Sequence, residues 1–362
     1  MRIRILLLAM LLLGVTSIFS APFQNVKKIL KQPDGTELHC FASGDEFYNR
    51  LHDADGFTIV QAENGYFVYA TVDARGNVVP TEYVAGITDP KALGLRPDVM
   101  ISQYDYHKRR QEKTAMMRDV KDTDDEVLNH GVYNNIVVFI KFKGDADMTT
   151  SASTMESMFN ANGYYDISMN NYFKKATYNQ LSMVSHYFPM PEDDKVIAYE
   201  DIYPRNYYQP YNPTTNPEGY TNQAEREFPL LKRAIEFIAD YVPDTLNIDR
   251  NNDGYIDNVI FVVKGNVGDW SDLLWPHMWS MYGEEAYING KRVGTFNFQL
   301  ETSSYFSVST LCHEMSHSLG FPDLYHYISG TDHLSPSGPW DLMCGNANPP
   351  QHSSTYMKYK YG

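Results

Sequence analysis

The chain has 362 residues, with 45 Asp and Glu against 30 Lys and Arg, a formal charge of −15. That acid surplus excludes a general nucleic-acid binder, which needs a basic face to neutralise phosphate, and it argues against docking on anionic lipid. Hydrophobic residues make up 43% of the chain, too many for a disordered one. Three cysteines, Cys40, Cys312 and Cys344, are too few for a disulfide scaffold.

Residues 1–20 read as a secretory signal. Arg2 and Arg4 supply the positive end, residues 5–15 an apolar run, and Ser17, Ser20 and Ala21 the small residues near a cleavage point. The run is short for a membrane span. The mature chain is therefore expected to be secreted, extracellular or periplasmic, with no stable membrane span. Residues 21–105 form a small strand-rich unit. Runs 57–60 and 66–70 are β-prone, Glu63-Asn64-Gly65 between them is a hairpin turn signal, and residues 73–77 offer another turn. Residues 106–130 are charge-dense and read as an exposed, helix-compatible linker, open to proteolysis at Lys108-Arg109-Arg110.

Residues 131–362 alternate strand and helix signals, so the fold class is α+β. Run 136–140 is continuously apolar, as in a buried strand. Helices are expected around 155–161 and 168–175, then a strand over 181–188. Segment 201–220, with five tyrosines and four prolines, reads as a long ordered loop. Phe228, Leu231, Ile235 and Ile238 keep helical spacing within 223–241. Run 259–263 is a second buried strand, and 296–301 is expected at a sheet edge.

Residues 313–317 read His-Glu-Met-Ser-His. Positions four apart on a helix differ by about 40° in azimuth, so His313 and His317 share a face and can hold one metal ion. Glu314 lies about 60° from His317, near enough to meet a water at that metal. Leu311, Met315 and Leu319 fall on the opposite side, and Gly320 stops the helix. Two neutral imidazoles and one carboxylate suit Zn²⁺ with a position left open for water. Glu314 then takes a proton as water attacks a carbonyl and passes it to the leaving amine.

The third ligand is open on the residues alone. No glutamate follows Glu314, so a downstream glutamate is not available. Asp323, ten residues after His313, leads; His326, Asp332, His333 and Asp341 remain candidates. Trp340-Asp341-Leu342-Met343 offers a methionine turn beneath the site. Tyr325, His326, His333 and His277 are candidates for a transition-state donor. Cys312 and Cys344 flank the site in sequence and are candidates for a disulfide, and a Cys40 thiolate is a candidate cap on the metal. Separately, Asp249, Asn251, Asp253 and Asp257 match the start of an EF-hand-type loop and point to a structural Ca²⁺. Position twelve is Ile260 rather than glutamate, so this is not an EF-hand; a metal-free Asx turn is the other reading.

The segments His313 to Tyr325, Trp340 to Met343, Asp253 to Ile260, Trp275 to Trp279 and Met169 to Leu181 together resemble the immune inhibitor A family of secreted metallopeptidases, over roughly residues 130–362. The resemblance implies a zincin or metzincin-like catalytic domain with zinc-dependent endopeptidase activity on proteins or peptides. It matches His313 and His317 to the zinc histidines, Glu314 to the catalytic base and Asp323 to the third ligand. It also implies synthesis as a preproprotein, with residues 21–105 as the propeptide domain and 131–362 as the catalytic domain. The chain stops inside what reads as a continuing helix, which implies a catalytic domain cut short at its C-terminus. A reading from another class is a secreted or surface binding protein whose zincin-like domain is non-catalytic.

Overall fold

A computed structural model describes residues 23–45, 47–118, 129–265, 276–301, 306–325 and 336–361. The signal segment and the candidates His326, Asp332 and His333 lie outside these. No described helix is long and apolar enough to cross a membrane.

The first unit is an antiparallel meander of six strands paired in chain order: β1 (Phe23–Lys31), β2 (Glu37–Gly44), β3 (Asn49–His52), β4 (Thr58–Gln61), β5 (Phe67–Val72) and β6 (Val78–Val84). The two turns marked in the sequence close it. Gly65 and Gly76 both sit at φ 85°, a conformation a side chain resists. Alternate residues of β1 to β5, among them Leu30, Leu38, Cys40, Leu51, Ile59 and Tyr69, face one core. Helix α1 (Gln103–Arg118) follows, so the charged linker is helical over most of its length.

The second unit contains β7 (Gly131–Lys141), α2 (Ala152–Phe159), α3 (Met169–Ala176), β8 (Leu181–Tyr187), β9 (Ala198–Glu200), α4 (Ala224–Ile238), β10 (Tyr255–Ile256), β11 (Val259–Val263), β12 (His277–Ser280), β13 (Tyr287–Ile288), β14 (Lys291–Val293), β15 (Thr295–Leu300), α5 (Val308–Ser318) and α6 (Thr355–Lys360). The central sheet runs β12-β15-β11-β7-β8, with β9 pairing the far end of β7; β12 is antiparallel to its neighbour and the rest are parallel. A small sheet, β10-β14-β13, stands apart. The whole is mixed α+β.

The apolar runs in β7 and β11 are buried on both faces, as parallel strands between two layers must be. Ile136, Val138 and Ile140 join Val259, Phe261 and Val263 in a core shared with α4 and the first unit's meander. Val137 and Phe139 join Ile260 and Val262 in a second core under α2, α3 and α5. Burial of each such side chain contributes about 1.5–3 kcal/mol. The meander is also tied to the tyrosine-rich loop: Asn212 Nδ2 donates to Ala62 O at 2.9 Å and Thr214 Oγ1 to Glu63 O at 2.7 Å.

One expectation needs correction. Segment 296–301 is not an edge strand: β15 lies between β12 and β11. Its alternation is real, since Phe296, Phe298 and Leu300 enter the first core. The polar residues between them, Asn297 and Gln299, are buried nonetheless, because α5 packs on this strand. Asn297 Nδ2 donates to Ser318 Oγ at 3.1 Å and to Asn258 Oδ1 at 2.8 Å. Asn258 Nδ2 donates to Asn135 Oδ1 at 2.7 Å, and Asn135 Nδ2 to Ser185 Oγ at 3.2 Å. A ladder of buried amides thus crosses four neighbouring strands and ends on the last turn of α5.

Asn258 holds the middle of that ladder, donating once and accepting from both Asn297 and Ser318. Replacing it strands buried partners, at about 1–3 kcal/mol for each group left unsatisfied. Asn258→Leu is expected to lower unfolding stability by about 2–4 kcal/mol, read as a fall in the urea midpoint with an unchanged slope.

Candidate metal centre

Helix α5 is set by its ends. Ser307 caps it, accepting from Thr310 N, and the chain leaves it through Gly320 at φ 95°. Leu311, Met315 and Leu319 seat it in the second core, as the spacing predicts. His313 is fully buried, Glu314 is buried next to it, and the His317 side chain is 12% exposed, so the site is reached from the His317 side.

Each imidazole is oriented through its Nδ1. At His313 that atom lies 3.1 Å from Leu342 O and 3.0 Å from Asn346 Oδ1. At His317 it lies 2.8 Å from Phe321 O. A carbonyl oxygen can only accept, so both Nδ1 atoms carry a hydrogen, and a ring with its single hydrogen there turns a lone pair outward at Nε2. Those two Nε2 atoms are 3.1 Å apart, and Asp323 Oδ1 lies 3.1 Å from one and 3.3 Å from the other. Three atoms able to serve as metal ligands therefore converge. A tetrahedral ion with bonds of about 2.0–2.1 Å needs ligand atoms about 3.3 Å apart, so the triangle has the size of one face of such a coordination shell. His313, His317 and Asp323 are the one group of metal-ligating side chains drawn together among the described residues.

Asp323 reaches the site because the chain turns back after Gly320: Phe321 N bonds to Ser316 O, and Leu324 N to Met343 O at 2.8 Å. The segment from Trp340 does lie against the site. Leu342 O orients His313, Met343 is buried in the second core, and Trp340 is exposed. Asp341, a third-ligand candidate, is used otherwise. Its Oδ1 accepts from Met343 N at 2.9 Å and its Oδ2 from Ser354 N at 2.7 Å, so it braces this turn.

The other candidates separate in the same way. His277 is buried in β12 with Nε2 2.7 Å from Glu227 Oε1, engaged in a pair of its own. Tyr325 is buried just past the Asp323 loop. Cys312 and Cys344 are both buried and unbridged. Cys40 lies in β2 with Lys28 nearby, and burial pushes its thiol up to about 11, a poor metal ligand.

Asp249, Asn251, Asp253 and Asp257 form a hydrogen-bonded turn. Asp249 accepts from Asp253 N and Gly254 N, Asp253 from Tyr255 N, and Asp257 from Arg250 N. The Lys291 ammonium sits 2.7 Å from Asp249 Oδ2, where a cation would bind. The three aspartates are not drawn together as a metal-ligating group.

The residue that sequence reading missed is Asn346. Its signal was weak, an asparagine in a Gly-Asn-Ala-Asn stretch with no spacing rule to mark it.

No protein-family profile matches the chain, and no curated protein sequence does. Two solved structures are similar to it at a distance. OgpA from Akkermansia muciniphila is 12% identical with a TM-score of 0.31, over 66% of this chain and 62% of its own. Metalloproteinase-II from Bacteroides fragilis is 13% identical with a TM-score of 0.26, over 94% of this chain and 86% of its own. The chain thus spans less than two thirds of the length of OgpA.

Asn346 fixes the hydrogen on His313 Nδ1 and so aims Nε2 at the metal position. Loss of such a partner typically weakens metal binding about 10–100-fold. Asn346→Leu is expected to weaken Zn²⁺ binding by that factor in competition with a chelating dye. Asn346→Asp, which keeps an acceptor oxygen, is expected to retain most of the affinity.

Proposed function

We propose that the chain is a secreted zinc-dependent endopeptidase of the zincin type, made as a preproprotein. The observation that carries the reading is the triangle of His313, His317 and Asp323, three ligand atoms spaced for one tetrahedral ion. Zinc bound there would supply a Lewis acid for a substrate carbonyl and make water acidic enough to attack at neutral pH.

The protein's own part falls to a few groups. Leu342 O, Asn346 and Phe321 O hold the two rings in the tautomer that presents Nε2 to the metal position. Glu314, in the same helical turn as His313, is the general base, taking the proton of the attacking water and returning it to the amine that leaves. Burial of the site excludes bulk water and strengthens these interactions. An extended peptide suits the rim of the site. Strand β12 is the antiparallel end of the sheet and lies against α5, and a sheet edge binds a peptide by adding it as a further strand. The N-terminal meander is read as the propeptide domain.

The test is on the purified, processed chain. It is expected to hold one zinc per molecule, to cleave casein, and to stop when a chelator is added. Glu314→Gln is expected to keep the zinc and lose about 10²–10⁴-fold in rate, whereas His317→Ala is expected to lose the zinc as well. Undiminished activity in Glu314→Gln sinks the mechanism, and stoichiometric zinc with no cleavage of any peptide favours a non-catalytic binding protein.

A further inference from the structure

Two of the three metal-ligating side chains depend on one short turn. His317 lies in the last turn of α5 and Asp323 follows just after Gly320. The backbone between them serves both. Phe321 O sits 2.8 Å from His317 Nδ1 and aims that ring, and the same stretch carries Asp323 back to the imidazoles. His313 is oriented from another segment, by Leu342 O and Asn346. A shift of the turn at residues 319–321 therefore moves two ligands and leaves the third.

The turn closes partly on itself, through Gly320 N to His317 O at 2.9 Å and Phe321 N to Ser316 O at 3.0 Å. The Leu319 carbonyl is among the end groups that a helix cannot satisfy internally, and it is met from outside. Asn129 Nδ2 donates to Leu319 O at 3.1 Å and to Tyr361 O at 2.7 Å. Both acceptors are carbonyl oxygens, so the atom facing them is the amide nitrogen, and it has two hydrogens to give. Tyr361 follows α6 and covers the same turn. Its ring packs on Phe321 with centroids 4.9 Å apart, and a Cβ on Gly320 would lie 3.4 Å from Tyr361 Cδ1. Asn129 thus bonds both the turn and the residue that covers it. Its own base is firm. The next residue's carbonyl, His130 O, accepts from Arg250 Nη1 at 2.5 Å, and Gly131 N, at the start of β7, donates to Gln180 O at 2.7 Å.

We infer that Asn129 and Tyr361 are positioning residues for the metal centre: together they clamp the turn that aims His317 and delivers Asp323. The inference rests on the metallopeptidase reading and deepens it, because it ties the entry to the central strand β7, and the end of α6, to the geometry of the ion. Neither residue touches the ion. Each acts through the backbone of Leu319, Gly320 and Phe321. Their loss frees His317 and Asp323 to drift while His313 stays held.

The experiment uses the full-length chain and two readouts that need no turnover. One is the rate of zinc transfer to a chelating dye. The other is the visible absorption of Co²⁺ bound in place of zinc, whose bands follow coordination geometry. Asn129→Ala removes both hydrogen bonds and is expected to speed zinc transfer on the order of tenfold and to alter the Co²⁺ bands. Tyr361→Leu, which removes the ring from Phe321, is expected to act in the same direction, and Tyr361→Phe, which keeps the ring, to match the unaltered chain. Asn134→Ala is the control for general loosening. It breaks a 2.8 Å bond to Asn247 O elsewhere on β7 and is expected to leave both readouts unchanged. Unchanged transfer and unchanged bands in Asn129→Ala overturn the inference and leave the metal site standing, as does an equal effect in Asn134→Ala. Should Asn129→Ala not fold, the two Tyr361 variants decide: identical behaviour of Tyr361→Leu and Tyr361→Phe overturns the clamp. An unaltered chain that binds no more metal than His317→Ala overturns the metallopeptidase reading as well.

Discussion

Everything at the site depends on two imidazoles whose hydrogens point away from each other. A helix that buries His313 and places His317 beside it has to satisfy four ring nitrogens with little help from water. The chain spends two backbone carbonyls and one asparagine on the Nδ1 side. That choice turns both Nε2 atoms toward one point, and the Asp323 carboxylate adds a third ligand atom to it. Without a cation the three would repel; with one they are ligands. The rest of the fold keeps this imbalance in place. Ser307 sets where α5 begins, Gly320 sets where it ends, and the Asp341 turn delivers Leu342 O and Asn346 from below.

The sheet contributes through a polar contact where an apolar one would be expected. Most of the packing between α5 and the sheet is greasy, through Leu311, Met315 and the second core. Under the last turn, however, Ser318 meets Asn297 and Asn258. Apolar packing tolerates sliding and rotation, since it has little direction. Directed hydrogen bonds do not, and a helix pinned at its C-terminal turn keeps His317 at a fixed distance from the Asp323 loop. The same amides run on through Asn135 to Ser185, so the register of β15, β11, β7 and β8 is tied to the position of α5.

Elements whose signal is local were legible in the sequence. The runs at 136–140 and 259–263, the two glycine turns of the meander and the helix carrying His313 and His317 all stand where periodicity and turn chemistry put them. The match of Asp323 to the histidines was legible from its distance along the chain. What escaped depends on neighbours. β15 reads as an edge because Asn297 and Gln299 alternate with aromatics, and nothing in Thr-Phe-Asn-Phe-Gln-Leu tells that a helix will cover the polar face. β12 is four residues long and has too short a period to register. Asn346 is a single polar residue in a loop, and its meaning comes from the imidazole that tertiary structure sets beside it.

Two acidic clusters of similar composition show how charge compensation separates a turn from a metal site. At Asp249 the carboxylate receives backbone N–H groups from Asp253 and Gly254, and the Lys291 ammonium meets it directly. Its charge is answered within the chain, and a divalent ion would have to displace a lysine to enter. At Asp323 the neighbours are imidazoles, whose Nε2 atoms face the carboxylate oxygen at 3.1 and 3.3 Å. A lysine there would fill the triangle and end its use as a site. The acidic character of the chain therefore says little by its amount. The informative quantity is what answers each carboxylate: a lysine at Asp249, a pair of imidazoles at Asp323.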